Sequence, residues 1–445
     1  MGIKKTRVQP IAPLVVLRLT FGAVLLISTI RFIAKGWIVD FYVAPRMHFP
    51  FYGFGWVRAL PAWTMYGLFA LMILSSICIL LGLFYRWAVA AFLLAFTYVE
   101  LIDKSYYLNH YYFVSLFTFL LLLVPANRYF SLDVLRKPSL RAEWVPVWTI
   151  RIFQVQLCLV YFFAGLSKLN SDWLLEAMPL RIWLPAGSSL PLIGPLLGKV
   201  WVAYLFSWFG AAFDLFIAFF MLYGPTRKVA YVFVILFHVL TALLFKIGMF
   251  PWIMIAATVI FFSTDWHRRL LGKISTWIIP GSQVRANISN PPGKMTQRRE
   301  RLTYTVLGFY FLLQVLVPLR YLLYPGHLFW TEQGYRFSWR VMLMEKSGTC
   351  FFYVRDPATG RRGEVDNGKY LTPLQERMMA TQPDMMLQYA HYLGEQFPSH
   401  PITVESYVTL NGSGSRLYID STVDLSRQKE SWSPIKWILP FQKNQ

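Results

Sequence analysis

Charged residues are scarce in this sequence, and their scarcity argues against a soluble protein. Only 15% of the 445 residues are charged, whereas 56% are hydrophobic. A soluble protein of this length carries roughly a quarter charged residues. Acidic residues are the scarcer kind, since 22 Asp and Glu stand against 43 Lys and Arg, for a net charge of +21. The composition therefore indicates an integral membrane protein.

Cysteine and histidine are also rare, which argues against a disulfide framework and a metal centre. Of the three cysteines, Cys78 and Cys158 fall within hydrophobic stretches, where a thiol is a packing residue, and Cys350 stands alone. We therefore expect no disulfide. The seven histidines are scattered without the spacing that a zinc site needs, so we expect no metal.

The basic excess could suggest nucleic-acid binding, but its placement argues otherwise. Lys and Arg sit in short segments between hydrophobic stretches, which is the signature of membrane topology. We therefore expect membrane lipid as a partner and no nucleic acid.

Long hydrophobic stretches predict nine membrane segments, give or take one. About 20 helical residues cross a bilayer, and lipid cannot satisfy backbone polar groups, so each stretch should be a helix. Three of them are short and should be buried between other helices or re-entrant. The predicted segments are residues 12–34, 63–84, 87–102, 111–125, 146–166, 202–223, 229–245, 251–263 and 302–323.

The distribution of Lys and Arg predicts the orientation of the chain. If the N-terminus is cytoplasmic, the inner segments carry 18 Lys and Arg and the outer loops carry 8. This excess favours a cytoplasmic N-terminus. Nine crossings then place the C-terminal region outside the cytoplasm.

Four regions follow from this pattern. We predict an all-α polytopic membrane helix bundle over residues 1–263, a basic cytoplasmic loop over 264–301, a final transmembrane helix over 302–323, and a small α+β C-terminal extracytoplasmic domain over 324–445. The basic loop contains Pro291-Pro292-Gly293, and we interpret it as a solvated linker near anionic lipid rather than a specific binding site.

Two hairpins and one helix are predicted in the C-terminal domain. Residues 351–354 could pair with 362–365 across a turn signal, and 404–410 with 416–419 around Asn411-Gly412. Residues 374–396 read as a single helix.

Polar clusters at the outer ends of the predicted helices are the candidate site. They occupy residues 103–110, 161–173 and 237–250. Ionisable groups at membrane depth are costly and are functional candidates by default. All three clusters could converge on one pocket.

Each candidate also has a purely structural interpretation. Lys168 could snorkel to the membrane interface. His110, beside several Tyr residues, could be an interface residue, and His238 could hydrogen-bond a neighbouring helix and do nothing more. Asp214 needs a partner within the membrane, and an ion pair or hydrogen bond is as plausible as a catalytic role.

Several strings of this sequence, in order along nearly the whole chain, resemble those of the vitamin K-dependent γ-glutamyl carboxylase family in its shorter bacterial form. The string AGLSKLNSDW resembles the motif that contains the family's catalytic lysine, and YRFSW resembles the segment linked to binding of the glutamate substrate. The strings that carry the resemblance are Asp103-Lys104 with Asn109-His110, residues 164–173, Phe237-His238 with 245–250, 335–339, 384–390 and 432–434.

The resemblance implies a reaction and its co-substrates. Enzymes of this family oxidise reduced vitamin K, a hydroquinone such as phylloquinol or menaquinol, to an epoxide with O2. A strong base made in that oxidation removes a γ-proton from glutamate, and the carbanion adds CO2. The implied partners are the isoprenoid hydroquinone and a glutamate-containing protein or peptide, and the implied location is a bacterial inner membrane.

The resemblance also implies residue roles. Lys168 would be the base that deprotonates the hydroquinone, and His110 with Asn109 would serve the glutamate and CO2 half of the reaction. His238 would be a pocket residue. The remaining implied substrate-binding residues are Tyr335, Ser338 and Trp339.

The chemistry of a membrane-embedded lysine suits this role. A lysine must be neutral to accept a proton, and an apolar site disfavours its charged form. A helix bundle also keeps a strongly basic intermediate from water.

Departures from the family pattern keep two alternatives open. Ser167 precedes Lys168, where the animal enzymes have a second lysine, and the cysteine pair that bridges the animal enzyme is missing. The runner-up is therefore a quinol epoxidase or oxygenase that does not carboxylate glutamate. The third hypothesis is a non-catalytic quinone- or lipid-binding membrane protein.

Overall fold

The computed structural model describes residues 7–245, 247–278 and 297–442. Seven helices within these ranges are long and apolar enough to cross a membrane. Two shorter apolar helices, Asn109–Leu123 and Phe250–Phe261, occupy the positions of two of the short predicted segments. The prediction of a polytopic helical membrane protein is thus confirmed.

Twelve α-helices of seven residues or more organise the described part of the chain. Helices α1 to α8 and α10 are the apolar segments. Helix α9 follows α8, and helices α11 and α12 belong to the C-terminal region. Their bounds are α1 Ala12–Ala34, α2 Ala62–Leu81, α3 Tyr85–Ile102, α4 Asn109–Leu123, α5 Trp148–Ser167, α6 Val200–Leu222, α7 Arg227–Leu244, α8 Phe250–Thr258, α9 Thr264–Ile278, α10 Gln297–Leu319, α11 Pro373–Met379 and α12 Pro383–Gln396.

A close approach between two membrane helices builds the site. A Cβ atom on Gly165 of α5 would lie 2.6 Å from the backbone nitrogen of Leu215 on α6. No side chain fits at that separation, so glycine lets the two backbones touch. The contact brings the C-terminal end of α5 against the middle of α6.

Six strands form two antiparallel sheets. β1 (Val8–Pro10) pairs with β2 (Trp144–Pro146) beside the first helix. The C-terminal sheet has the order β4-β3-β5-β6. Its strands are β3 Lys346–Arg355, β4 Arg362–Glu364, β5 Ile402–Leu410 and β6 Arg416–Leu417. Both predicted hairpins are present, and the long pairing of β3 with β5 joins them into one sheet.

The helix expected over residues 374–396 is two helices, and the prediction of one continuous helix was wrong. The chain leaves the helical conformation at Gln382, and α12 begins at Pro383. Proline lacks a backbone N–H and pushes the preceding residue out of the helical region, which explains the break. The first helix is fixed by a capping box between Thr372 and Gln375.

The basic segment after α8 begins with a helix. α9 is amphipathic, with Arg268, Arg269 and Lys273 exposed and His267 buried against the bundle. The Pro291-Pro292-Gly293 part of the predicted cytoplasmic loop lies outside the described residues.

The C-terminal domain is fastened to the loops between membrane helices by side-chain amides. Gln375 Nε2 donates to Asp103 Oδ2 and to the carbonyl of Met47, each at 2.8 Å. Asn411 Nδ2 donates to Asp172 Oδ2 at 2.7 Å. These bonds hold the domain over the C-terminal ends of α3 and α5.

Candidate functional site

Lys168 caps the C-terminal end of α5 and points into the protein. Its side chain does not snorkel outward, because the residue is only 6% exposed. Its Nζ lies 2.5 Å from Asp214 Oδ2 on α6 and 3.3 Å from the carbonyl oxygen of Ala164. The Trp173 ring centroid is 5.4 Å from the same nitrogen. The sequence did not identify the partner of Asp214, and the structure shows that this partner is Lys168.

A small apolar cavity, here called the inner cavity, lies beside this ion pair. Its volume is about 100 Å³. Helices α4 to α8 and the segment after α10 contribute its walls. The polar or predicted residues that line it are Asn109, Tyr161, Lys168, Asp214, His238, Thr241 and Trp339. The structure thus brings Lys168, Asn109, His238 and Trp339 together around one space.

His238 offers a free nitrogen at this cavity. The residue is 1% exposed, and its Nε2 lies 3.1 Å from the hydroxyl of Tyr161. Its Nδ1 is buried and has no hydrogen-bond partner among the described residues. A buried imidazole nitrogen without a partner is costly, so a ligand hydroxyl or carbonyl bound here would satisfy it.

A larger cavity, here called the outer cavity, lies between the membrane body and the C-terminal domain. Its volume is about 960 Å³. His110 and Tyr335 line it, as the sequence-based roles require. Five cations and two carboxylates face it, namely Arg31, Lys35, Lys104, Arg336 and Lys346 with Glu332 and Glu345. The cavity is therefore suited to an anionic ligand.

Six residues line both cavities and form the boundary between them: Asn109, Phe245, Ile247, Phe250, Val341 and Met342. The amide of Asn109 donates to the carbonyl of Arg340 at 2.9 Å and accepts from the Tyr107 hydroxyl at 3.0 Å. The Phe250 ring centroid lies 6.0 Å from that of His110 and 5.7 Å from that of His238. Phe250 therefore separates the two histidines.

An ionic cluster forms part of the outer cavity wall. Asp384 Oδ2 accepts from Lys104 Nζ at 2.8 Å and from Arg336 Nη1 at 2.7 Å. Arg336 also donates to the side chain of Gln382. Burial lowers the pKa of Lys104, although Asp384 opposes that effect. Burial would raise the pKa of Asp384, but Arg336 and Lys104 outweigh it and hold that pKa well below its usual range.

Acidification is expected to loosen the C-terminal domain through this cluster. The folded-state pKa of Asp384 is depressed. Its stabilisation is therefore complete above the unfolded pKa of about 3.9 and is lost progressively as the pH falls from that value toward the lower folded-state pKa. We expect the midpoint of thermal unfolding to fall more steeply between about pH 4 and about pH 2 in the wild type than in Asp384→Asn. If the unfolding midpoints of the two proteins fell equally steeply with pH, this role of Asp384 would be contradicted.

Two of the predicted substrate-binding residues belong to the segment after α10 but differ in setting. Trp339 is buried at the inner cavity and stacks on Tyr112, with ring centroids 5.1 Å apart. Ser338 is also buried, but its hydroxyl donates to the carbonyl of Tyr335 and it lines neither cavity. A direct contact of Ser338 with substrate stays a prediction.

Tyr161 and Phe250 lie within the predicted clusters 161–173 and 237–250, but the sequence assigned neither of them a role. Tyr161 lies seven residues before Lys168, a spacing that places both on one face of α5. That spacing was a usable signal. Phe250 carried no comparable signal, since a phenylalanine at a helix start is ordinary in a membrane protein.

Two family matches together span almost the whole chain. Residues 6–266 match the family described as HTTM domain. Residues 299–444 match the family described as vitamin K-dependent gamma-carboxylase, lumenal domain. The chain belongs to the vitamin K-dependent γ-glutamyl carboxylase family. A comparison with solved structures found no match.

Membership of the γ-glutamyl carboxylase family implies a carboxylase-like function and a vitamin K cofactor. The residues that line the inner cavity fit a vitamin K group. The inner cavity is apolar, as a naphthoquinone ring requires, and the Nδ1 of His238 and the Lys168–Asp214 pair would hold a ring oxygen through hydrogen bonds. Among the described residues, no group of three or more His, Cys, Asp or Glu could hold a metal ion.

Proposed function

We propose that this protein couples oxidation of reduced vitamin K by O2, giving the epoxide, to carboxylation of protein-bound glutamate by CO2. One observation carries the proposal. A buried amine, Lys168 Nζ, and its carboxylate partner line an apolar cavity that meets a cationic cavity at Asn109. Such an arrangement separates an apolar quinol from an acidic substrate while keeping their reacting atoms close.

In the inner cavity, Lys168 would accept the first proton, which comes from the hydroquinone. A proton moved from Nζ to Asp214 Oδ2, across 2.5 Å, leaves a neutral amine that can accept a proton from a hydroquinone hydroxyl. His238 would orient the ring through Nδ1, with its other nitrogen fixed by Tyr161. When bound, the hydroquinone supplies, on reaction with O2, the strong base that the second half of the reaction needs. The apolar walls exclude water from that base.

In the outer cavity, the protein would bind glutamate and CO2. The excess of cations attracts a carboxylate and an acidic peptide. His110 lines the outer cavity and Asn109 lies at the boundary, where its amide is held by Arg340 and Tyr107. A held amide can donate or accept at a fixed point beside the reacting γ-carbon without moving.

The decisive experiment uses the full-length protein in lipid nanodiscs. Reduced vitamin K and O2 are added, and epoxide is measured by chromatography. Labelled CO2 and a glutamate-containing peptide are then supplied, and acid-stable label in the peptide is counted. We expect both products. Folded protein that forms neither product would overturn the proposal.

One observation favours a second candidate, a quinol epoxidase that does not carboxylate. Three of the cations facing the outer cavity already have carboxylate partners in the protein: Lys104 and Arg336 pair with Asp384, and Lys346 pairs with Glu332 at 2.9 Å. Their charge is therefore partly neutralised before any substrate arrives. Epoxide without labelled peptide would identify this candidate.

We also propose that the N-terminus is cytoplasmic and the C-terminal domain lies outside, as the distribution of Lys and Arg supports. The resemblance to the shorter bacterial form of the family favours a bacterial inner membrane. The outer cavity then opens away from the cytoplasm, where a secreted glutamate-containing protein would meet it.

Removing the Phe250 ring is expected to uncouple the two half-reactions. Phe250→Ala would join the cavities and admit water to the base formed beside Lys168. We expect epoxide formation to persist, while carboxylated product per epoxide falls by about tenfold to a hundredfold, the cost of losing a held geometry. The ratio of the two products measures this. Phe219→Ala, on the exposed face of α6, is the matched control and should leave the ratio unchanged.

A further inference from the structure

The connection between α5 and α6 is unusually apolar for a segment outside the membrane helices. Residues 171–199, here called the α5–α6 segment, form this connection. The 17 residues from 182 to 198 include no Asp, Glu, Lys or Arg. A connection that runs through water is normally polar. Three prolines also interrupt the stretch, so it cannot cross the membrane as a helix. Its composition fits neither a solvated loop nor a crossing.

Some side chains of the α5–α6 segment are fixed to the C-terminal domain. Leu180, Leu184 and Leu197 are buried in the same hydrophobic core as the side chains of that domain. The indole nitrogen of Trp183 donates to the carboxylate of Glu345. The segment and the C-terminal domain are therefore packed together.

Other side chains of the segment are apolar and bare. Leu175 is 70% exposed, Leu192 is 95% exposed and Leu196 is 47% exposed. A contiguous exposed apolar surface marks a place where a protein meets a partner or a membrane. The exposed leucines therefore need an apolar partner.

Hydrogen bonds from α6 place part of the segment at membrane depth. Trp208 Nε1 donates to the carbonyl of Leu174 at 2.8 Å, and the Tyr204 hydroxyl donates to the carbonyl of Leu175 at 2.7 Å. Trp208 lies eight residues after Val200, where α6 begins, so it is about 12 Å along the helix. Because α6 has the length and composition of a membrane crossing, these carbonyls lie below the level at which the helix begins.

The backbone of the segment is prepared for contact with lipid. Lipid supplies no hydrogen-bond partner, so backbone polar groups at membrane depth must be satisfied by the protein. Side chains of α6 satisfy the two carbonyls described above. Further along, short turns do the same, since Gly194 N donates to the carbonyl of Leu190 and Lys199 N to that of Leu196, each at 2.9 Å.

We propose that the α5–α6 segment is an interfacial anchor that inserts Leu175, Leu192 and Leu196 among the acyl chains of the leaflet on the side of the C-terminal domain. Lipid is the partner because the apolar surface continues directly into α6, whose exposed Val200 and Leu205 face the bilayer. An interfacial element of this kind lies about 5–10 Å into the boundary between headgroups and acyl chains. The anchor fastens the C-terminal domain to the membrane surface.

The test measures the surroundings of single nitroxide labels on the full-length protein in nanodiscs that hold one copy each. The three native cysteines, Cys78, Cys158 and Cys350, are first replaced by alanine. Leu175→Cys and Leu192→Cys then carry the label. Electron paramagnetic resonance compares collisions of the label with O2, which concentrates in lipid, and with a nickel chelate, which stays in water.

Two matched controls set the scale of this measurement. Leu205→Cys places the label on the lipid-facing side of α6, and Ala358→Cys places it on an exposed turn of the C-terminal domain. We expect the ratio of O2 to nickel collisions at positions 175 and 192 to lie near that at 205 and well above that at 358. A ratio at either position that matched the ratio at 358 would overturn the anchor.

A second copy of the chain is the other apolar partner that could cover these leucines. Labels that are exposed to nickel in nanodiscs with one copy, and protected only in nanodiscs with two, would identify a contact between copies and overturn the anchor. Thermal unfolding of each labelled variant, compared with the cysteine-free protein, shows that it is folded. Leu196→Cys replaces either position if that variant does not fold.

Discussion

Replacing Lys168 by alanine is expected to lower epoxide formation about a hundredfold to ten-thousandfold, because a positioned general base contributes about 10²–10⁴ to a rate. No other amine among the described residues lines the inner cavity. The rate is measured with purified protein, reduced vitamin K and O2 at saturating quinol. Binding of the oxidised quinone should be retained, so the loss falls on turnover rather than on affinity.

Stability must be separated from chemistry in this experiment. The alanine variant leaves Asp214 buried without its cation, and breaking a buried ion pair costs about 3–5 kcal/mol. The double variant Lys168→Met with Asp214→Asn removes both charges and keeps the volume. We expect it to unfold close to the wild-type temperature and still to form no epoxide.

The same double variant discriminates among the three hypotheses. A folded double variant that keeps a tenth or more of wild-type epoxidation would show that the amine is not the base. Wild-type protein that binds quinone without turnover, with binding unaltered by the double variant, would favour the non-catalytic quinone-binding alternative. Turnover lost together with Lys168 supports both enzyme hypotheses.

Replacing Asp384 by alanine is expected to destabilise the docking of the C-terminal domain by about 2–3 kcal/mol. The change leaves Lys104, which is 2% exposed, and Arg336 without their shared carboxylate. The expected destabilisation is smaller than the cost of breaking a fully buried ion pair, about 3–5 kcal/mol. The reason is that Asp384 itself is 37% exposed, so water can replace part of the interaction.

The docking energy is measured by thermal unfolding and by limited proteolysis of the C-terminal domain in nanodiscs. Glu405→Ala is the matched control, because Glu405 forms a surface pair with Arg362 in the same domain. A surface pair contributes about 1 kcal/mol at most. Equal destabilisation by the two variants would show that the Asp384 cluster does not fasten the domain.

The membrane body was predictable because its signals are local. A stretch of apolar residues long enough to span lipid can only be a helix, so α1 and α2 can be predicted without any tertiary information. The hairpins around Asp356 and Asn411 could be predicted for the same reason, since turn residues act on their immediate neighbours. The predicted division into four regions stays a prediction.

The site itself was only partly predictable, because its contacts are distant in sequence. Lys168 was singled out, but its bond to Asp214 spans 46 residues, and the bond between Asp103 and Gln375 spans 272. Nothing local specifies which of several buried polar groups will meet. Phe250 is one of six residues at the boundary between the two cavities, and its importance comes from position rather than residue type.

Gly165 has no functional group, yet proton transfer at this site depends on its lack of a side chain. Backbone contact at Gly165 sets how far the carboxylate of Asp214 stands from the amine of Lys168. Any larger residue would wedge α5 and α6 apart and lengthen the path that a proton must cross. In a rate measurement, such a wedge would be indistinguishable from loss of the base itself, although every reacting group would still be present.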